Sequence, residues 1–419
     1  MTDPRDPDGA DDPPDEPRVT AWSPLRAPLF RAIFLASLIT QIARWMHDTS
    51  AAWMMTTLTD LPLLVALMQT ALVLPVFLLA VPGGVLSDLF DRRRWLIFAQ
   101  SWLVATAAAI GVLTLLDRIE PWSLLALTFC LGIGTALNMP AMDAIIPELV
   151  DRRDLAGAVA LKGLTINVAR ALGPAVGGLL LAVIEPGVVF LVNASAFGLV
   201  VLVLLRWKRR SPPQVEERPG FVEALRIGVR YTRRSPEMRA CLIRATLWVL
   251  AASALWSLLP LVARQAGLGP AGYGWLLGVV GSGAVLGVMM MTRARRRFGV
   301  DVVMGASLVL AAIGLVGFAT VRVFLPLMAF AFVSGIGWVG YAAMMNTVVQ
   351  QVLPAWVRAR AIAIYIVVQQ GAMALGAAVW GTTATIFTVS TALLASSVAL
   401  VACVWTVRRW PLAGYPAVR

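Results

Sequence analysis

Twelve stretches of the chain are apolar at nearly every position instead of along one stripe. Each runs for about 20 residues or more, the length that crosses a bilayer. Their limits are 29–57, 63–87, 95–116, 122–146, 156–183, 187–206, 240–264, 272–292, 301–321, 325–347, 358–383 and 387–406. A backbone in lipid must satisfy its own hydrogen bonds, so each stretch is predicted to be an α-helix. The polar gaps are short except 207–239, which divides the spans six and six. Within it, "FVEALRIGVRYTRR" puts Phe221, Leu225 and Val229 on one helical face and arginines elsewhere. That pattern predicts an interfacial helix along the inner leaflet, with a solvated linker helix as the alternative.

Composition strengthens the membrane reading. Of 419 residues 59% are hydrophobic and 14% charged, and the mean hydropathy is +0.79. A soluble domain carries about 25% charged residues. The expected class is an all-α membrane protein. Its net charge of +12 does not mark a nucleic-acid binder, because the basic residues sit between apolar runs. Cys130, Cys241 and Cys403 lie in or beside spans without CxxC spacing, and are read as small core residues. The start, "MTDPRDPDGADDPPDEPRVT", is acidic and proline-rich and lacks signal-peptide character. Residues 1–28 are expected to form a disordered cytoplasmic tail, and 407–419 a second cytoplasmic tail.

The distribution of basic residues sets the orientation. With both termini in the cytoplasm, only Arg118, Arg264 and Arg322 of the 35 Lys and Arg fall in outer loops. Arg44, Lys162, Arg170 and Arg244 lie in or near the spans, and the rest are cytoplasmic. This bias follows the positive-inside rule, and the plasma (inner) membrane is the expected location.

A shift of 203 residues aligns the two halves of the chain. Gly84 falls on Gly287, Arg92–Arg94 on Arg295–Arg297, and Trp45 and Trp53 on Trp248 and Trp256. "GIG" at Gly132–Gly134 falls on "GIG" at Gly335–Gly337, and "LGPAVGG" at Leu172–Gly178 on "LGAAVWG" at Leu375–Gly381. Several matches at one ungapped offset indicate a duplicated six-helix unit. The predicted bundles are 29–206 and 240–406, two pseudo-symmetric halves around a cavity.

The gap between the second and third spans reads "GGVLSDLFDRRRWL". Gly84, Asp88, Arg92 and Arg93 have the spacing G-x3-D-x3-R-R, which resembles the signature of the major facilitator superfamily at that loop. Asp91 stands where many members have glycine. The resemblance implies a cytoplasmic latch between the halves, in which Asp88 meets Arg92 and the positive end of the helix beginning near Arg358. A plain basic anchor is the alternative, but it does not explain the acid. In the second repeat Met291 replaces Asp88, so any latch is asymmetric.

In the fifth span Gly173, Pro174, Gly177 and Gly178 resemble the superfamily's antiporter signature G-x3-G-P-x2-G-G, with Ala169 at its first glycine. The resemblance implies an outer seal and export; ordinary small-residue packing is the alternative. The text from "SPLRAPLFRAIFLASLITQIARWM" to "ARALGPAVGG" is similar to the enterobactin-exporter and transmembrane secretion effector branch. That branch often has an acid where Arg44 stands.

Ionisable groups inside the membrane are functional candidates. Arg44 and Asp48 are i, i+4 and predicted to pair, with His47, the single histidine, between them. They are read as proton or substrate groups, against a merely structural pair. Asp143, Lys162 and Arg170 form a second group. Asp143 and Glu148 are expected near the membrane face, either in a structural pair with Arg152 or Arg153 or in a proton role, while Arg170 is deeper and suited to an anionic substrate or an acid of the first span. Further candidates for the cavity are Gln41, Gln69, Asn138, Asn167, Trp338, Asn346, Gln369 and Gln370. No phosphate loop, metal-ligand spacing or nucleophile elbow occurs. The expectation is no cofactor, no metal and no enzyme activity. A monomeric, proton-coupled exporter of a small amphiphilic molecule (drug, siderophore or metabolite) is expected, with lipid, proton and substrate as partners. An importer or uniporter on the same fold, or a non-transporting scaffold or sensor, is the alternative.

Overall fold

The structure is a computed structural model. It describes residues 20, 22–207, 221–354 and 356–409, without the side chains at 81, 85, 87–89, 221–226, 292, 359 and 408. Most of both expected tails, the linker stretch 208–220 and the side chains of Asp88, Phe221 and Leu225 therefore lie outside the described residues.

Thirteen helices are described: α1 (Pro28–Leu58), α2 (Pro62–Leu89), α3 (Arg92–Leu115), α4 (Pro121–Leu149), α5 (Leu155–Val183), α6 (Pro186–Arg206), α7 (Phe221–Arg234), α8 (Pro236–Gln265), α9 (Pro270–Phe298), α10 (Val300–Thr320), α11 (Phe324–Val352), α12 (Arg358–Ile386) and α13 (Val389–Arg409). All but α7 are long and apolar enough to cross a membrane. Proline opens α1, α2, α4, α6, α8 and α9, where its missing N–H costs nothing. Asp91 caps α3 by accepting from the Arg94 backbone N–H at 2.9 Å, which gives a local role to the aspartate that replaces the signature glycine.

One boundary differs from expectation. "RARRR" at 293–297 was expected in a loop, but the structure continues α9 through it to Phe298. Arginine is a good helix former, and nothing breaks the helix until Gly299, whose φ of +80° ends it.

The two sets of six spans have the same neighbours. In the first, α1 packs on α5 and α6, α4 on α2 and α3, and α3 on α6. In the second, α8 packs on α12 and α13, α11 on α9 and α10, and α10 on α13. The crossings between sets match too: α2 meets α12, and α5 meets α9. The recurring "GIG" has a packing cause. A Cβ on Gly132 would lie 2.8 Å from the Ala71 carbonyl of α2, and one on Gly134 2.8 Å from the Trp102 ring of α3. Gly335 and Gly337 meet α9 and α10 in the same way. Small residues let these helices approach closely, which is how spans associate without a hydrophobic drive.

The halves differ in how they are filled. Among the described residues the largest buried cluster runs through α8–α13 and takes in adjoining residues of α1, α2, α3, α4 and α6. In it Trp248, Tyr341 and the Arg244 side chain are almost wholly buried. The α1–α6 set has smaller clusters surrounding a hollow. Helix α7 packs on α12 and α8. Gly228 sits against Arg360 and Ile364, and Tyr231 meets Trp356 edge-on at 5.8 Å. The helix expected at the leaflet thus has protein partners.

Candidate functional site

The ends of the spans that carry Arg92–Arg94, Arg152, Arg153, Arg295–Arg297 and Arg358 form a basic face. A cavity of ≈ 380 Å³ enters the α1–α6 half from there. Its wall near the basic face is mostly apolar, with Phe30, Ile33, Met142, Ile145, Leu149 and Val200 beside the charged Asp143 and Lys162. Deeper it is polar: Gln41, Arg44 and Trp45 of α1, Gln100 of α3, Asn138 of α4 and Arg170 of α5. Among the described residues Gln370 is its single lining residue from the α8–α13 half. Gln100 donates to Asn138 at 3.1 Å, so an amide pair faces the hollow.

Charge in the cavity is mostly paired. Arg44 Nε lies 3.7 Å from Asp48 Oδ2, the predicted i, i+4 pair. Lys162 binds Asp143, two members of the second predicted group, in place of the Arg152 or Arg153 weighed as partners for that acid. Lys162 on α5 reaches across to α4, a tertiary approach that chain spacing does not encode. The third cation, Arg170, stacks over the Trp45 ring at 5.8 Å. Both residues also line a narrow pocket between the halves, with Pro174, Trp256 and Trp338. Trp338 belongs to an aromatic cluster, 4.9 Å from Trp248 and 5.4 Å from Trp256 between ring centres.

Other candidates lie elsewhere. His47 is fully buried, 4.8 Å from the Phe190 ring of α6, and both ring nitrogens lack a hydrogen-bond partner. One residue along a helix is about 100° of rotation, which turns His47 away from its neighbours on α1. Asn167 is exposed and bonds its own helix at the Gly163 carbonyl, 2.9 Å. Asn346 is exposed. Gln369 donates to Tyr365 at 2.9 Å. None of these four lines the cavity, and neither does Gln69.

At the basic face Arg92 pairs with Glu148 at 2.9 Å, not the Arg152 or Arg153 expected for that acid. Arg153 instead faces Asp151 at 3.6 Å. Arg93 donates to the Leu204 and Leu205 carbonyls at 2.8 Å, neutralising the negative end of α6. A Cβ on Gly84 would meet open space, while one on Gly83 would lie 3.3 Å from the Ala136 carbonyl; the close helix contact uses the glycine the signature does not name.

The opposite face is closed. Gly173 and Gly177 pack on Trp45 and Met46 of α1. Gly178 crosses α9: a Cβ there would lie 2.6 Å from the Pro270 carbonyl and 2.7 Å from Gly274 Cα. Trp53 stacks on Tyr273 at 6.0 Å. The Leu63 N–H donates to Thr385 and Thr70 to the Ala374 carbonyl, each at 2.9 Å across the α2–α12 crossing.

Sequence reasoning missed Arg264, which it counted only as an outer-loop arginine. Arg264 ends α8, bonds the Thr56 carbonyl, and lies 3.4 Å from the Thr59 carbonyl and 2.9 Å from Asp60. It thus clamps the negative C-terminal end of α1 from the other half. By contrast Arg322 bonds Phe318, Ala319 and Ser390 within its own half. The signal available in the sequence was that a basic residue survives where the topology disfavours one.

Two six-span sets related by a repeat, closed at one face around a cavity open at the other, define a major facilitator fold. The chain belongs to the transmembrane secretion effector family, whose sequence model matches residues 19–417. It is 26% identical over 287 residues to an uncharacterised MFS-type transporter, YfiS, of Bacillus subtilis, covering 65% of this chain and 67% of that protein. To the staphyloferrin A transporter of Staphylococcus aureus it is 25% identical over 233 residues, 55% of this chain and 58% of that protein. To the enterobactin exporter EntS of Escherichia coli it is 28% identical over 283 residues, covering 62% of each. The match thus spans less than two thirds of the length of most of these curated relatives. Among solved structures, a variant of the nucleoside transporter NupG superposes with a TM-score of 0.77 at 12% identity, over 91% of this chain and 100% of that one. The xylose transporter XylE of E. coli superposes with a TM-score of 0.66 at 13% identity, over 91% and 96%.

Proposed function

We propose that the protein is a proton-coupled exporter that moves a small amphiphilic molecule by alternating access, not an enzyme. The observation that carries the reading is the pairing of one open and one closed face around a half-polar cavity. The positive-inside rule supports a cytoplasmic basic face, and a cavity open at that face supports loading from the cytoplasm. The relatives named for staphyloferrin A and enterobactin support a siderophore-like or other amphiphilic cargo.

The halves 29–206 and 240–406 rock about the α2–α12 and α5–α9 crossings. To release outward, the Gly178–Gly274 contact and the Arg264 clamp must open. Asp48 lies on α1 between the cavity-lining Arg44 and the closed outer end. When the outer face opens, a proton reaches Asp48, Arg44 is released, and the cycle resets. The signature at Gly84, Asp88, Arg92 and Arg93 closes the cytoplasmic face in the outward state, with Asp88 toward the positive end of α12. The Gly173, Pro174, Gly177 and Gly178 segment supports export over import, because it packs the outer half of α5 on both α1 and α9.

Two expected results follow. Charge at a helix end contributes about 0.3–1 kcal/mol, so Arg264→Gln shifts the equilibrium toward outward-open by roughly 2- to 5-fold. Spin-label distances across the outer ends of α1 and α8 check this, and unchanged populations would remove Arg264 from the gate. Asp88→Asn shifts the balance the other way, toward inward-open, with transport reduced and binding retained. The reading as a whole is tested in inside-out membrane vesicles from overexpressing cells, with a panel of anionic, neutral and cationic amphiphiles. Accumulation driven by a proton gradient supports it; binding without accumulation overturns it.

A further inference from the structure

The transport reading leaves the cargo's charge open, and the cavity speaks to it. Three cations line the hollow: Arg44, Lys162 and Arg170. Arg44 has Asp48 and Lys162 has Asp143. Among the described residues no acid lies within ion-pair range of Arg170, and its one partner is the face of Trp45. The paired charges cancel, which leaves a single uncompensated positive charge among the described lining residues. Guanidinium does not deprotonate in proteins, so Arg170 is unsuited to carry a proton through the cycle. A guanidinium stacked on an indole keeps its N–H edge free, and that edge matches a carboxylate in two parallel hydrogen bonds.

Position adds polarity to the match. Arg170 lies midway along α5, two turns deeper than Lys162, while the apolar wall of Phe30, Ile33, Met142, Ile145, Leu149 and Val200 lies nearer the basic face. The second half offers no counterpart. At the 203-residue offset Arg170 corresponds to Met373. The counterpart of Trp45 is Trp248, covered by Trp338 and Tyr341 at 4.9 and 4.8 Å. Among the described residues the unpaired charge therefore sits on one face of the cavity.

Building on the export reading, we infer that the cargo is an amphiphilic acid. Its anionic group docks on Arg170 against Trp45, and its apolar body lies along the α1–α4–α6 wall toward the cytoplasm. Neutral and cationic amphiphiles are discriminated against, because the cavity's low-dielectric walls focus the field of the unpaired guanidinium.

The test uses the full chain in lipid nanodiscs and reads quenching of tryptophan fluorescence. The probes are 2-naphthylacetate and N-dodecanoylglycine, each beside its neutral carboxamide. The wild type is expected to bind each acid at least about tenfold more tightly than its amide, as one charge-assisted hydrogen-bonded pair provides. Arg170→Gln abolishes that preference, and Arg170→Lys, which keeps the charge and guards against misfolding, retains part of it. Arg153→Gln, at the exposed surface, leaves it intact. Absence of saturable binding of both acids to the wild type, equal affinity for acid and amide, or a preference that survives Arg170→Gln overturns the inference. Failure here is separable from failure of the export reading. Gradient-driven accumulation of neutral or cationic amphiphiles, unaffected by Arg170→Gln, sinks the acid specificity alone. Accumulation of no amphiphile of any charge sinks the export reading.

Discussion

Gly178→Val abolishes transport and traps the protein open to the outside. In this structure Gly178 crosses Gly274 with no room for a side chain: even a Cβ would sit 2.6 Å from the Pro270 carbonyl and 2.7 Å from Gly274 Cα. Both obstacles are backbone, so neither can swing aside. Overpacking of this kind costs about 1–3 kcal/mol, which shifts a two-state equilibrium roughly 5- to 150-fold. Gly178→Ala gives a smaller shift in the same direction. A control separates this from a general effect of removing glycine: a Cβ on Gly198 meets nothing within 4 Å, so Gly198→Ala leaves transport unchanged. The measurement is labelling of single cysteines at the outer end of α5. Increased labelling in Gly178→Val is expected, and wild-type labelling with full transport would show that the crossing is not a seal.

Asp48→Asn retains cargo binding but loses gradient-driven transport by about tenfold or more, the scale expected when an intramembrane carboxylate that exchanges protons is neutralised. The amide keeps the size of the side chain and its contact with Arg44, but cannot exchange a proton. Energised vesicles therefore show no accumulation, while downhill exchange of cargo across the membrane persists. That split distinguishes coupling from structure, because a merely structural Arg44–Asp48 pair predicts equal losses in both assays. His47→Gln is expected to differ from Asp48→Asn, since His47 packs beside Phe190 of α6 with both ring nitrogens unbonded, whereas Asp48 pairs with the cavity-lining Arg44.

The spans were legible because the bilayer imposes length and apolarity on them, and α1–α6 and α8–α13 fall near the predicted limits. The repeat was legible because "GIG" marks close helix crossings in both halves. Side-chain direction was not. Candidates on α1, α5 and α12 share composition, yet Arg44 and Arg170 reach the cavity while His47, Asn167 and Gln369 do not. A span apolar all round has no polar stripe to announce its inward face. Partner choice across helices was hidden for the same reason. Glu148 chose Arg92 and Asp143 chose Lys162, both over arginines nearer in sequence. The asymmetry of filling depended on substitutions at repeat-related positions, where Gln41 and Asn138 give way to the buried Arg244 and Tyr341. Asp88, the acid that first set the basic cluster apart, lies outside the described side chains, and its latch role rests on the signature.

The central claim is that a proton gradient drives cargo through this cavity by exchange of the open face. The most direct measurement is uptake of anionic, neutral and cationic amphiphiles into inside-out vesicles whose lumen has been acidified. At least one of them is expected to accumulate above its external concentration, to be lost on adding a protonophore, and not to accumulate in Gly178→Val or Asp48→Asn. Equal uptake with and without the gradient, or accumulation that survives in both variants, would contradict it.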